Sequence, residues 1–284
     1  MSIKLMPKFR KHAIGAAEPA APKAKKAAAT NAPIQISVGK RGAKKWRKGN
    51  GPWQYGEPPK PDKTSAEMKD PVLRKAQAGY YKRRFNVDLD PETEVVYTIG
   101  SKEGLANLIQ AITAPGDVIV TPNPCYPIHA FGPVIAGASI RYIKIDDGDF
   151  LELLERAIKN MTPKPVAVIV NYPGNPTAEV VDLAFYEKLV ALCKQYGVYA
   201  ISDLAYCEIY FDENPPPSIL QVPGAKDIAI EFTTLSKTYS MAGWRVGFAA
   251  GNQRLIHALT RIKSYLDYGM FTPIQVAATA ALNG

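Results

Sequence analysis

Hydrophobic residues follow two regimes along the chain. Up to about position 62, aliphatic residues are few and weakly periodic, in runs such as AAEPAAPKAKKAAAT and GKRGAKKWRKGNGPW. From about Pro71 onward, short apolar runs alternate with stretches whose apolar positions recur at helical spacing. That alternation predicts helices over Leu73–Phe85, Lys102–Thr113, Ile128–Ala136, Leu151–Asn160, Leu183–Tyr196, Asn252–Leu266 and Pro273–Leu282. Asp182 stands where the N-cap of the Leu183 helix is expected. Strands are predicted over Glu94–Ile99, Asp117–Thr121, Ser139–Ile145, Val166–Asn171, Val198–Ser202, Ile228–Thr234 and Arg245–Ala250. Several of these strands are apolar at consecutive positions, so both their faces are expected to be buried. A βα alternation of this kind predicts an α/β fold with a mostly parallel sheet covered by helices, and no internal repeat is evident.

Composition changes the picture mainly at the N-terminus. The net charge of +9 in 284 residues suggests a nucleic-acid partner until it is located. Residues 1–60 carry 14 of the 35 basic residues and 2 of the 26 acidic ones, which leaves the remainder slightly acidic. The segment 1–62 is therefore expected to be a disordered basic tail rich in Ala, Lys and Pro, too poor in apolar residues to offset its chain entropy. A tether to nucleic acid or an anionic surface, and a frameshifted reading of this stretch, are the alternatives. Residues 63–284 are expected to form the folded domain. No run of about 18 apolar residues suggests a membrane span, and the N-terminus lacks the apolar core of a secretory signal. Cys125, Cys193 and Cys207 are scattered and odd in number, which argues against a disulfide framework or a zinc site and for a reducing cytoplasm.

Candidate chemistry lies where ligands gather in open α/β sheets, at the carboxyl ends of strands. Ser101 and Lys102 follow the first predicted strand, and Asn175 lies in NYPGNPT after the Val166 strand. Asp203 follows the Val198 strand, and Ser236 and Lys237 follow the Ile228 strand. With Tyr126, Tyr206 and Arg245, one crevice would offer a lysine amine, a carboxylate, hydroxyls, an arginine and aromatic rings. These are what pyridoxal phosphate needs for its aldehyde, ring nitrogen, phosphate and ring face.

The motifs also resemble a known family in order and wording. TTLSKTYSMAGWRVGF resembles the lysine motif of the class I/II (fold type I) pyridoxal-phosphate-dependent aminotransferases. NYPGNPT and ISDLAYCEI resemble their asparagine and aspartate motifs, GSKEGL their phosphate loop and NPCYPIH their ring-stacking segment. The match runs from about Leu73 to the end. Within the family, GSKEGLANL, PNPCYPIH, SDLAYCEI and RIKSYLDYG look most like the alanine and LL-diaminopimelate aminotransferase group.

The resemblance implies a three-layer α/β/α large domain whose small C-terminal domain, with the arginine for the substrate carboxylate, is missing beyond Gly284. It implies Lys237 as the Schiff-base lysine, Asp203 on the ring nitrogen, and Asn175 and Tyr206 on the phenolic oxygen. Tyr126 would stack on the ring, while Ser101, Lys102, Thr234, Ser236 and Arg245 would hold the phosphate, Lys102 through its backbone. A desolvated Lys237 amine would move the Cα proton. His129 and His257 are expected to pack rather than react, and no metal set is expected. The implied activity is amino transfer between an amino acid of the alanine or glutamate type and a 2-oxo acid, in a homodimer. A truncated or degenerate chain that binds cofactor without turnover is the alternative.

Overall fold

The computed structural model describes residues 71–145, 148–211, 213–267 and 269–284. The expected basic tail, with its boundary near residue 62, lies outside the described residues. Fifteen elements follow in order, here α1 (Pro71–Phe85), β1 (Val95–Thr98), α2 (Ser101–Ile112), β2 (Val118–Asn123), α3 (Pro127–Ile135), β3 (Ser139–Lys144), α4 (Phe150–Asn160), β4 (Ala167–Val170), α5 (Leu183–Tyr196), β5 (Tyr199–Asp203), β6 (Ala229–Thr234), α6 (Leu235–Thr238), β7 (Gly247–Gly251), α7 (Gln253–Leu266) and α8 (Thr272–Asn283).

The strands form one sheet in the order β1-β7-β6-β5-β4-β2-β3. The pairs β6–β5, β5–β4, β4–β2 and β2–β3 are parallel, while β7 runs antiparallel to both β1 and β6. Alternate strand residues feed two cores. Val168 and Val170 pack on one face with side chains of α1, α4, α5 and α8, and Ala167 and Ile169 on the other with those of α2, α3 and α7. Both faces of β4 are thus buried, which is why its sequence AVIV shows no polar alternation. The arrangement is the expected three-layer α/β/α domain.

Local signals set several boundaries. Asp182 caps α5 by accepting from Phe185 N at 2.9 Å, and the helix stops at Gly197, whose φ of 67° suits glycine. In α4 the buried residues Phe150, Leu154 and Ile158 recur every four positions behind the Asp149 cap. Two boundaries depart from expectation. β2 runs through Pro122 to Asn123, because only Ile119 and Val120 pair with β4 and Pro122 lies beyond that ladder. β7 begins at Gly247 rather than Arg245, which sits in left-handed backbone (φ 55°, ψ 47°) after a 3₁₀ turn over Ala242–Trp244.

A buried acid cross-braces one face of the sheet. Glu231 on β6 accepts from Tyr81 Oη at 2.9 Å, Ser202 Oγ at 2.9 Å, Ser218 Oγ at 2.5 Å and Ile219 N at 3.2 Å. Four donors satisfy a carboxylate that would otherwise cost several kcal/mol to bury, of order 3–5 in sites missing a partner. Even so, burial outweighs the donors and pushes its pKa above the ordinary carboxylate value. The network joins α1, β5, β6 and the Ser218–Gln221 turn.

Candidate active site

The antiparallel β7 concentrates chain ends at one sheet edge. Thr98, the last residue of β1, and Thr234, the last of β6, both pair with Gly247, the first of β7. The segments after β1 and β6 and before β7 therefore meet at one point. Parallel β5 and β4 deliver Asp203 and the 171–178 loop to the same edge.

The meeting point is crowded enough to require glycine. A Cβ on Gly247 would lie 2.6 Å from Ser101 N and 2.9 Å from Gly100 C. Gly100 has φ 78°, and a Cβ there would strike the Arg245 guanidinium. So the absence of side chains at 100 and 247 lets Arg245 rest against the start of α2. Gly100 is the N-cap of α2 and offers no side-chain cap, which leaves first-turn N–H groups open toward a ligand. Open N–H groups, the helix dipole and an arginine at one spot form an anion cradle. Of the residues expected there, Ser101 is half-buried and Lys102 exposed. The Lys102 Nζ lies 5.1 Å from the Tyr126 ring centroid.

Thr234 ends β6. It is buried, its hydroxyl donates to Val246 O at 3.1 Å, and it accepts from Ser236 N at 3.2 Å. It caps α6 and so helps to orient Ser236 and Lys237. Lys237 is exposed, so the desolvation expected of its amine is not supplied by the described residues. Its Nζ sits 5.5 Å from the centroid of the Tyr206 ring.

Asp203 is 3% exposed, and its two oxygens differ. Oδ2 lies 2.9 Å from His129 Nε2, whereas Oδ1 is buried without a hydrogen-bond partner among the described residues. His129, expected to pack rather than react, is buried and also holds Asp203. Its ring also meets Tyr126 edge-on, with centroids 5.8 Å apart. A signal was present in NPCYPIH: Tyr126 is the N-cap of α3, and a residue three positions into the helix lies on the same side.

On the far side, Asn175 Nδ2 donates to Tyr206 Oη at 3.2 Å. That loop is held by Asn171, which the sequence reading passed over. Its Nδ2 donates to Asp203 O at 2.7 Å and to Pro173 O at 3.2 Å, and its Oδ1 accepts from Asn175 N at 2.9 Å. Asn171 directly follows β4, so the strand-end rule that singled out Asp203 applies to it equally. Arg84 steadies the segment after Tyr206, bridging Glu208 Oε1 at 3.0 Å and Cys207 O at 3.1 Å. Two chains of contact result: Lys237 to Tyr206 to Asn175, and Lys102 to Tyr126 to His129 to Asp203.

Comparison with known proteins gives the family and the fold. Residues 61–284 match the family model for aminotransferase class I and II. The chain is 61% identical over 227 residues to a putative aminotransferase AatC of Rhizobium meliloti, covering 80% of this chain and 56% of that protein. It is 56% identical over 215 residues to the glutamate-pyruvate aminotransferase AlaC of Escherichia coli, covering 75% and 52%. An LL-diaminopimelate aminotransferase of Aquifex aeolicus is 48% identical over 212 residues, covering 74% and 55%. The chain thus spans about half the length of the curated relatives it matches. Among solved structures, substrate-bound BacF from Bacillus subtilis superposes with a TM-score of 0.70 at 35% identity, covering 78% of this chain and 58% of BacF. The N-succinyldiaminopimelate aminotransferase of Mycobacterium tuberculosis gives 0.71 at 29%, covering 76% and 57%.

Proposed function

The chain belongs to the class I and II aminotransferase family, and on that premise we propose that it binds pyridoxal phosphate at Lys237 and Asp203 and moves an amino group between an amino acid and a 2-oxo acid. Members of this family use pyridoxal phosphate. The observation that carries the reading for this chain is the pair of unlike oxygens on Asp203. A buried carboxylate oxygen without a partner costs about 1–3 kcal/mol or more, so it persists where a ligand donor completes it. A protonated pyridine nitrogen is such a donor, and His129 fixes the carboxylate so that Oδ1 stays aimed at it. The cradle of Ser101, Lys102, Ser236 and Arg245 suits the phosphate at the other end, and the anionic group finds cations there.

The remaining residues divide the work. When bound, the cofactor supplies an electron sink for the substrate carbon. Asp203 keeps a proton on the ring nitrogen, which maintains that sink. Because Tyr206 Oη accepts from Asn175, its own proton is left to donate to the phenolic oxygen, as is the second Asn175 N–H. Tyr126 presents a ring face, and its position is set by His129. Lys237 Nζ would hold the aldehyde end of the cofactor, and its free amine would carry the Cα proton away from the substrate carbon. The similarity to AlaC supports alanine or glutamate as donor. The free thiols of Cys125, Cys193 and Cys207 support a cytoplasmic home. The apolar Trp244 and Phe271, exposed around one concavity beside Arg245, support pairing with a second copy.

Reduction of the protein with borohydride after incubation with pyridoxal phosphate, followed by peptide mass mapping, tests the binding. Label on Lys237, absent in Lys237→Ala, is expected, and label spread over surface lysines would refute the site. Pyruvate formation from alanine tests transfer separately. Binding without transfer would leave the degenerate reading in place.

A further inference from the structure

The anion cradle has an acid in its wall. Glu103 stands in the first turn of α2, directly after Ser101 and Lys102. A carboxylate at this point competes with any anionic ligand, because acids near a helix start reach back to its open N–H groups. Here it is held out of the way. Its Oε2 accepts from Ile99 N at 2.9 Å, and its Oε1 accepts from Asn107 and lies 2.9 Å from Lys263 Nζ. Lys263, on α7, is fully buried, and its ammonium also reaches Asp267 Oδ2 at 2.9 Å. Asp267 in turn accepts from Gly269 N at 2.8 Å and so fixes the turn leading into α8.

A lysine is seldom buried completely, and one beneath an anion site bears on that site's field. We propose that Lys263 is a positioning residue for the phosphate end of the ligand, acting through Glu103. Its ammonium, shared with Asp267, offsets part of the Glu103 charge and holds the carboxylate where it meets the Ile99 amide. That contact shapes the turn over residues 99–101 so that the Ser101 and Lys102 N–H groups stay open. Without the ammonium, Glu103 is an uncompensated acid that repels a phosphate or occupies its N–H groups. The inference rests on the pyridoxal phosphate reading, but its core concerns anion binding and is measurable without the cofactor.

The experiment compares wild type, Lys263→Met, Glu103→Gln and the double variant, with far-UV circular dichroism to verify folding. Two quantities are read. One is the ratio of dissociation constants for pyridoxal and pyridoxal phosphate, which isolates the phosphate. The other is the rise in melting temperature on replacing chloride by inorganic phosphate. Lys263→Met is expected to lower the ratio tenfold or more and to abolish the phosphate-induced rise. Since Lys263 acts through Glu103, removing it in the Glu103→Gln background is expected to change neither quantity by more than about threefold or a degree or so, within the scatter of additive variants. That comparison stands even where Lys263→Met alone does not fold. Equal ratios in wild type and Lys263→Met would overturn the proposal. So would a further loss in the double variant relative to Glu103→Gln, since it would mean that Lys263 acts on the anion directly. If wild type binds no pyridoxal phosphate at Lys237 yet melts higher in phosphate, and Lys263→Met does not, the functional reading fails and this inference holds.

Discussion

Gly247→Ala puts the convergence of three chain ends to a quantitative test. The added Cβ would sit 2.6 Å from Ser101 N, 2.9 Å from Gly100 C and 3.0 Å from Thr233 O. All three atoms are backbone, so no flexible side chain can swing aside, and either β7 or the turn at residues 100–101 has to shift. Overpacking of one methyl at a tight site costs about 1–3 kcal/mol. For a chain of this size that corresponds to a melting temperature lower by roughly 2–4 °C per kcal/mol.

The shift also displaces the Ser101 amide from the cradle. Losing one charge-assisted hydrogen bond costs about 1.5–3 kcal/mol, or roughly a ten- to hundredfold weaker affinity for pyridoxal phosphate. Calorimetric melting of the cofactor-free chain reads the first effect, and an absorbance titration with pyridoxal phosphate reads the second. Gly243→Ala is the control, because a Cβ there meets nothing within 4 Å and its backbone needs no glycine. It should stay within about 0.5 kcal/mol of wild type. A Gly247→Ala protein that melts and binds like wild type would refute the crowding. One that melts lower but binds normally would refute the placement of the phosphate against Ser101.

Three further outcomes follow from buried polar groups. Burial pushes the Cys193 and Cys207 thiols up to about 12 from an ordinary 9.0. Burial raises the Cys125 thiol too, but Cys125 is the one of the three that is not fully buried. At pH 8 a maleimide or disulfide reagent should label Cys125 first, with the other two slower until denaturant is added; simultaneous labelling of all three in the native protein would contradict this. Glu231 has its pKa raised by burial above 4.5, so the folded state holds its proton to higher pH than the unfolded state does. The stability of wild type relative to Glu231→Gln, from urea unfolding between pH 4 and 8, should therefore be greatest at the acid end and fall as pH rises through the raised value. A flat or rising difference would show that the four donors, not burial, dominate.

Asn252 caps α7 through Oδ1 while its Nδ2 donates at 2.8 Å to both Lys226 O and Asp227 O. Asp is as good a cap as Asn, yet Asn252→Asp turns an oxygen toward two carbonyls and should cost about 1–3 kcal/mol in urea unfolding. Unchanged stability would refute the dual role.

Much of the fold is local and therefore readable in sequence. The apolar runs of β4 and β5, the i, i+4 pattern of α4 and the Asp182 cap of α5 act over a few residues, and their boundaries fall within a residue or two of expectation. The strand ends were legible for the same reason, since parallel neighbouring strands deliver their carboxyl ends to one edge. Strand direction is not local. Nothing in GFAAG states that β7 runs against its neighbours, and this decision brings Gly247, Gly100 and Arg245 to one point.

Partner choice is likewise tertiary. His129 looked like a packing residue because its carboxylate lies 74 positions away, and the Val246 carbonyl that takes the Thr234 hydroxyl lies beyond α6 in the chain. Lys263 and Glu103 are separated by 160 positions and share no periodic signal. Hydropathy periodicity reports which side of an element is buried. Which polar atom satisfies which other is fixed only when the chain closes on itself and each buried donor takes the nearest acceptor that packing leaves within reach.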